Sequence, residues 1–250
     1  VYPIVTQAIG AKGVSVPARD WGHDLDAMAA AVTDRTKLVF VANPNNPTGT
    51  VHEADALEAF LDRIPERVLV VLDEAYCECL TGDEYPDGIK LLARYPNLIV
   101  CRTFSKAWGL AALRVGYATS SPEIADILNR VRQPFNVDTV ALAAATAVLE
   151  DEAYLNRSRE VNETGLRQLY EGFDRMGLPY IPSAGNFVAV EVGEQAAGVY
   201  QALLAHGVIV RPVAGYGMPC HLRVSVGLPE ENDRFLDALA EALVSAGEGG

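Results

Sequence analysis

Lys106 closes the run Arg102-Thr103-Phe104-Ser105-Lys106, with hydroxyls one and three residues before it, and Arg114 follows eight residues later. Hydroxyls, a fixed cation and free backbone N–H groups are what a phosphate needs. A lysine beside such a site can be one more phosphate ligand. Desolvated next to other cations, its pKa falls and it becomes a nucleophile toward carbonyls. Asp73 follows the apolar run Val68–Leu72 and opens Asp73-Glu74-Ala75-Tyr76. A carboxylate at the end of so apolar a run is expected to be partly buried and to need a partner. That partner can be a structural counter-ion. An apolar strand ending in Asp-Glu also has the form of a Walker B segment, but the G-x-x-x-x-G-K-[ST] loop it requires does not occur between Val1 and Asp73.

Two further segments carry polar groups at the ends of apolar runs. Asn43-Pro44-Asn45-Asn46-Pro47-Thr48-Gly49 follows Leu38–Val41 directly. Composition alone favours a plain tight turn there, although open α/β sheets place their ligands at this end of a strand. Arg211-Pro212 ends Val208–Val210, and His221-Leu222-Arg223-Val224-Ser225 comes soon after. Guanidinium pairs with carboxylate or phosphate through two bonds, so both arginines suit anionic substrate groups. Taken singly, each is equally a surface charge.

The elements that must position these residues can be read from hydrophobic pattern. Leu38–Val41, Val68–Leu72, Leu98–Cys101 and Val115–Tyr117 are continuously apolar, as in strands covered on both faces. Helical patterns lie before, between and after them near Asp24–Val32, Glu53–Arg63, Ile89–Arg94 and Pro122–Val131, the last opened by Ser121 as cap and Pro122 at the first turn. Such alternation predicts a three-layer α/β fold with a largely parallel sheet over residues 1–145. A long helical stretch, Ala141–Leu149 and on toward Met176 with a break near Glu150–Asp151, then links to a smaller α+β domain over residues 146–250. Its predicted strands are Tyr180–Ile181, Phe187–Val192, Val208–Val210 and Leu222–Val226, with helices near Gln195–Ala205 and Glu230–Val244.

Composition bounds the partners. The chain has 250 residues, half of them apolar, and a formal net charge of −13. That charge argues against a nucleic-acid backbone or an anionic membrane as the main partner. Cys77, Cys79, Cys101 and Cys220 make no C-x-x-C pair and the four histidines are scattered. No metal site is therefore expected, and the cysteines read as reduced core residues of a cytoplasmic protein. No stretch approaches the length of a membrane span. Val1-Tyr2-Pro3-Ile4-Val5 begins without methionine and reads like the middle of a buried element.

In their order, Asn46, Asp73, Tyr76, Lys106, Arg114 and Arg223 resemble the functional set of the fold-type I aminotransferases, and specifically the histidinol-phosphate aminotransferase branch. The likeness runs from Tyr2-Pro3-Ile4-Val5-Thr6-Gln7 to the segment Arg211-Pro212-Val213-Ala214-Gly215-Tyr216-Gly217-Met218-Pro219 and Arg223. The resemblance implies pyridoxal 5'-phosphate as cofactor, held by Lys106 as a Schiff base, with Lys106 then shuttling a proton. It implies that Asp73 pairs with the pyridine nitrogen, that Tyr76 and Asn46 hydrogen-bond the ring's phenolic oxygen, and that Thr103, Ser105 and Arg114 grip the phosphate. Arg223 would bind the carboxylate of the amino-acid or 2-oxoacid partner, Arg211 would help hold the substrate's anionic end, including the phosphate of histidinol phosphate, and Asn186 would lie near the substrate carboxylate.

The activity so implied is transamination of L-histidinol phosphate with 2-oxoglutarate in histidine biosynthesis, by a homodimer. An aromatic-amino-acid aminotransferase and a threonine-phosphate decarboxylase use similar residues. From another class, the aminotransferase-like sensing half of a transcription regulator shares them, and a Walker-type ATPase is the remotest reading. The family carries a domain-sized segment of roughly a hundred residues ahead of the point where this chain begins. It includes an aromatic residue that stacks on the pyridine ring. The chain is accordingly expected to be an incomplete copy, keeping the lysine and lacking part of the cradle.

Overall fold

The computed structural model describes residues 1–80, 82 and 85–247. Three strands, β1 (Leu38–Ala42), β2 (Leu69–Asp73) and β3 (Leu98–Thr103), lie side by side in parallel, and β4 (Gly116–Ser120) runs back antiparallel beside β3. Register sets Ala42 beside Asp73 and Asp73 beside Cys101. The three parallel strands therefore end level with one another, and the segments after them leave from one edge. Thr103 pairs with Gly116, which brings Arg114 to that same edge.

Strand β2 shows how apolar alternation fixes the sheet. Val70 and Leu72 are fully buried and pack with Val41, Leu98 and Val100 against Leu57, Phe60 and Leu61 of α3 (Ala54–Leu61). Each such side chain contributes roughly 1.5–3 kcal/mol by leaving water. α2 (Leu25–Ala30) joins this layer through Leu25 and is capped by Asp24, whose carboxylate accepts the Ala27 N–H at 2.9 Å. The short α4 (Gly88–Leu91) precedes β3. Strand β4 departs from expectation: it is an edge strand whose Gly116, Tyr117 and Ala118 are exposed, so it is not covered on both faces.

The helices follow the pattern closely. α5 (Pro122–Val131) carries the Ser121 cap and the first-turn proline that its sequence predicts. The break near Glu150–Asp151 is real: α6 (Thr139–Val148) stops, and Asp151 caps α7 (Glu152–Met176) by accepting the Tyr154 N–H at 2.9 Å. Gly177 ends α7 in the left-handed conformation that glycine adopts without strain. Beyond it, β5 (Tyr180–Ile181), β6 (Phe187–Glu191), β7 (Arg211–Pro212) and β8 (His221–Ser225) form an antiparallel sheet in the order β5-β6-β8-β7. α7, α8 (Ala196–Ala205) and α9 (Pro229–Gly247) cover it with a second core around Leu169, Phe173, Val190, Leu203, Leu222 and Leu239.

Three expectations are corrected. Val208–Val210 is not a strand: its β-branched run follows the end of α8, and pairing to β8 begins only at Arg211. The opening segment is not the middle of a buried element. It forms α1 (Tyr2–Ala8), with no buried residue, because its apolar side chains point largely to solvent. The cysteines are free but half-buried: Cys77 and Cys79 lie in the turn after β2, Cys101 within β3 and Cys220 just before β8. Among the described residues no helix is long and apolar enough to cross a membrane.

Candidate active site

The crevice lies where β1, β2 and β3 end, the edge at which a parallel sheet exposes the backbone of its loops. After β1, the peptide Asn43–Pro44 is cis, and Asn43 pins the turn by donating to and accepting from the His52 backbone at 3.0 and 2.7 Å. Gly49 adopts a φ of 78°, and a Cβ there would run into Ser183. Its carbonyl accepts the Ala184 N–H at 2.8 Å, which ties this turn to the second sheet's side of the crevice. The tight turn and the ligand-end location are thus two aspects of one loop.

Asn46 stands at the centre. Its Nδ2 donates to the Tyr76 hydroxyl at 2.9 Å, and its Oδ1 accepts from Arg223 at 2.5 Å. Tyr76 is buried, with its ring edge-on to Phe187 at 5.3 Å. Lys106 places its Nζ over the same Tyr76 ring, 5.2 Å from the centroid. One connected set therefore spans the loops after β1, β2 and β3 and reaches across to β8. Lys106 makes no ion pair among the described residues. Cys79, near it, is no rival nucleophile, because burial pushes its thiol up to about 11.

Asp73 ends β2, half-buried, and both its oxygens are held by neutral donors. The Ala75 N–H reaches Oδ1 at 3.1 Å, and the Tyr2 hydroxyl donates to Oδ2. No cation pairs with Asp73 among the described residues. The adjacent Glu74 turns to the opposite side and is buried. It accepts from the Gly88 N–H and from Arg102, which also reaches Asp87 at 2.6 Å. Burial pushes the Glu74 carboxyl above its ordinary value, against the downward pull of Arg102.

The hydroxyl and arginine group lies beside Lys106. Thr103 Oγ1 accepts the Ser105 N–H at 3.1 Å, which leaves its own proton free to donate outward. Arg114 is exposed, has a left-handed backbone, and donates to the Ala111 carbonyl at 2.8 Å and to Ser105 Oγ at 3.5 Å. Across the crevice, Arg211 and Arg223 are directly opposed on β7 and β8, so both side chains leave the same face. Like charges so placed repel unless an anion joins them. Arg223 lies over the Phe187 ring at 4.9 Å, and its Nε is buried with no partner. Asn186 contributes its carbonyl to the Val226 N–H at 3.0 Å, and its side chain has no hydrogen bond among the described residues.

Asn46, Tyr76, Lys106 and Arg223 are brought into one network, and Thr103, Ser105 and Arg114 into a second beside it. Arg211 joins through strand register, and Asn186 lies next to Phe187. Two side chains in direct contact with this set carried no separate signal. Phe187 read only as part of a strand, and Tyr2 only as part of an opening apolar run. An aromatic residue opening a strand of the second sheet hints at a platform for a cation. Nothing in local spacing links Tyr2 to a residue seventy-one positions away.

Comparison with known proteins gives a consistent result. The sequence model of aminotransferase class I and II matches residues 2–239. Histidinol-phosphate aminotransferase 2 of Pseudomonas aeruginosa is 66% identical over 243 residues, which cover 97% of this chain and 66% of that protein. The protein of the same name from Pseudomonas fluorescens strain Pf0-1 is 63% identical with the same coverage. Among solved structures, histidinol-phosphate aminotransferase from Sinorhizobium meliloti, in complex with pyridoxal-5'-phosphate, superposes with a TM-score of 0.91 at 36% identity. That match covers 98% of this chain and 68% of the solved one. The chain thus spans 66% of the length of these two curated relatives.

Proposed function

The chain belongs to the class I and II aminotransferases, and from that premise we propose that it carries the lysine and substrate arginines of a pyridoxal 5'-phosphate-dependent histidinol-phosphate aminotransferase. The observation that carries the reading is the connected set Lys106, Tyr76, Asn46 and Arg223 at the ends of the parallel strands. The residues fit the cofactor and an anionic substrate on their own chemistry. Asp73 is a carboxylate with neutral donors and no cation, Lys106 is an amine without a carboxylate, and Arg223 has a buried Nε with no acceptor. A buried charged group left so is costly unless a ligand completes it.

Pyridoxal phosphate, when bound, supplies an electron sink that lets the Cα–H bond of an amino acid break as a proton transfer. Lys106 Nζ would hold the cofactor covalently and would accept and return that proton. Asp73 would keep a proton on the ring nitrogen. Tyr76 and Asn46 would offer their hydroxyl and amide to the ring's phenolic oxygen. Thr103 and Arg114, with Ser105, would grip the phosphate through a hydroxyl and a guanidinium. Arg223, beside the Phe187 ring, would orient the carboxylate of the 2-oxoacid or amino-acid partner, Arg211 would help hold the anionic end, including the phosphate of L-histidinol phosphate, and Asn186 would lie on the carboxylate side.

In this reading residues 1–145 form the cofactor-holding part and residues 146–250 the substrate-closing part, entered by α7. The substrates are L-histidinol phosphate and 2-oxoglutarate, the names of the relatives supplying the first, in a step of histidine biosynthesis. The same reading makes the protein a cytoplasmic homodimer. The exposed Ile4, Ile9, Val131, Phe135 and Val140 are apolar surface of the kind a second copy would cover. The test is to supply the protein with pyridoxal phosphate and 2-oxoglutarate and to follow glutamate formation. Faster turnover with L-histidinol phosphate than with L-phenylalanine or L-tyrosine supports the reading. The reverse order would transfer the assignment to an aromatic-amino-acid aminotransferase.

A further inference from the structure

Tyr2 lies on the opening helix, and its ring stacks on Phe40 of β1 with centroids 4.5 Å apart and planes 9° from parallel. Phe40 pairs with Val71, and Ala42 pairs with Asp73, so Phe40 and Asp73 share one face of the sheet. Two residues along a strand advance about 6.6 Å, close to the length of a tyrosine side chain beyond its Cβ. A ring lying over Phe40 therefore carries its hydroxyl to the level of Asp73, and there it donates to Oδ2. The other oxygen is held by the Ala75 N–H. Together these two donors fix the carboxylate's rotation at the end of β2.

We propose that Tyr2 is a positioning residue for Asp73: its hydroxyl stabilises the ionised carboxylate and so keeps the shared proton on the cofactor's ring nitrogen. This inference rests on the cofactor reading above. The physical argument concerns where one proton resides. A ring nitrogen and a carboxylate that share a proton can exist as an ion pair or as a neutral pair. A hydrogen bond donated to the carboxylate favours the ionised form. Without it the balance moves toward protonated Asp73 and an uncharged ring, which is the poorer electron sink. Tyr2 is a dependable donor, because burial and the neighbouring Asp73 push its hydroxyl upward from its ordinary value. The stack on Phe40 supplies the rigidity, and the hydroxyl supplies the electrostatics.

Tyr2→Phe separates the two contributions, since it keeps the stack and removes only the donor. The readout is the pH titration of the visible absorption of the protein loaded with pyridoxal phosphate. A charge on the ring nitrogen disfavours a further proton at Lys106 Nζ. Losing that charge is therefore expected to raise the titration midpoint, by about one pH unit, as one hydrogen bond to a charged group implies. The kcat should fall roughly tenfold with KM for the amino donor little changed. In an Asp73→Asn background, Tyr2→Phe should produce no additional shift, the non-additivity expected of a shared interaction. An unshifted midpoint with a lowered Tm would make Tyr2 a structural prop and overturn the inference while leaving the cofactor reading intact. Absence of any visible band in the unmutated protein would remove that reading and this inference with it.

Discussion

Asp73 and Glu74 are neighbours in sequence at the end of one strand, and they serve opposite sides of the sheet. Glu74 points into an interior where Arg102, itself shared with Asp87, and the Gly88 N–H partner both oxygens of its carboxylate. Asp73 points into the crevice, where only neutral groups meet it. The same contrast separates the cations. Arg102 is spent on an internal pair, whereas Lys106, Arg211 and Arg223 have no carboxylate partner among the described residues. A charge with a complete internal set of partners holds the fold together; a charge left incomplete in a crevice marks where a ligand is received.

Substitutions on the two sides should therefore fail differently. On the proposed reading, Lys106→Ala removes both the covalent hold and the proton carrier, and it is expected to lower kcat by roughly four orders of magnitude. Its Tm, measured without cofactor, should stay within a few degrees. Asp73→Asn keeps the shape and loses the charge, and kcat is expected to fall about a thousandfold. Arg102→Met works on the other side. It strands a buried Glu74 carboxylate and should cost about 3 kcal/mol in denaturant unfolding, with KM unaltered. If Arg102→Met raised KM instead of destabilising, the division between the two faces would collapse.

Arg223→Ala should reduce kcat/KM roughly a hundredfold, mainly through KM, because in the proposed reading the guanidinium meets the substrate and not the reacting bond. The smallest effect concerns His23, whose Nε2 accepts the Ala42 N–H at 3.2 Å behind the same loop. Burial lowers its pKa in the folded state, with His52 adding to the effect. A depressed folded value means stability that is complete above the ordinary histidine pKa and is lost as pH falls through the folded one. Acidification through that window should lower the stability, and His23→Gln should flatten the dependence in denaturant titrations.

Much of this arrangement was legible because apolar runs ending in polar residues mark strand ends. Leu38–Val41, Val68–Leu72 and Leu98–Cys101 each point to a loop, and those loops hold Asn46, Tyr76 and Lys106. Capping gave the helices equally well, with Ser121 and Asp151 at the starts of α5 and α7. What was not legible depends on pairing over distance. The shared face of Arg211 and Arg223 follows from β7–β8 register, which no local pattern encodes. The bond from Tyr2 to Asp73 needs a helix to lie across two strands. Val208–Val210 misled because its β-branched composition is a strand signal, whereas pairing begins only where the chain reaches β8. Val115–Tyr117 misled in the other direction: Val115 is buried, but the strand that follows it begins at Gly116 and lies on an exposed edge.

The most direct test of the account is the visible absorption of the protein on titration with pyridoxal phosphate, with Lys106→Ala and Arg102→Met alongside. The account predicts a yellow band in the unmutated protein and in folded Arg102→Met, and none in Lys106→Ala. A band that survives in Lys106→Ala would contradict it, because the cofactor would then be held by a residue outside the crevice described.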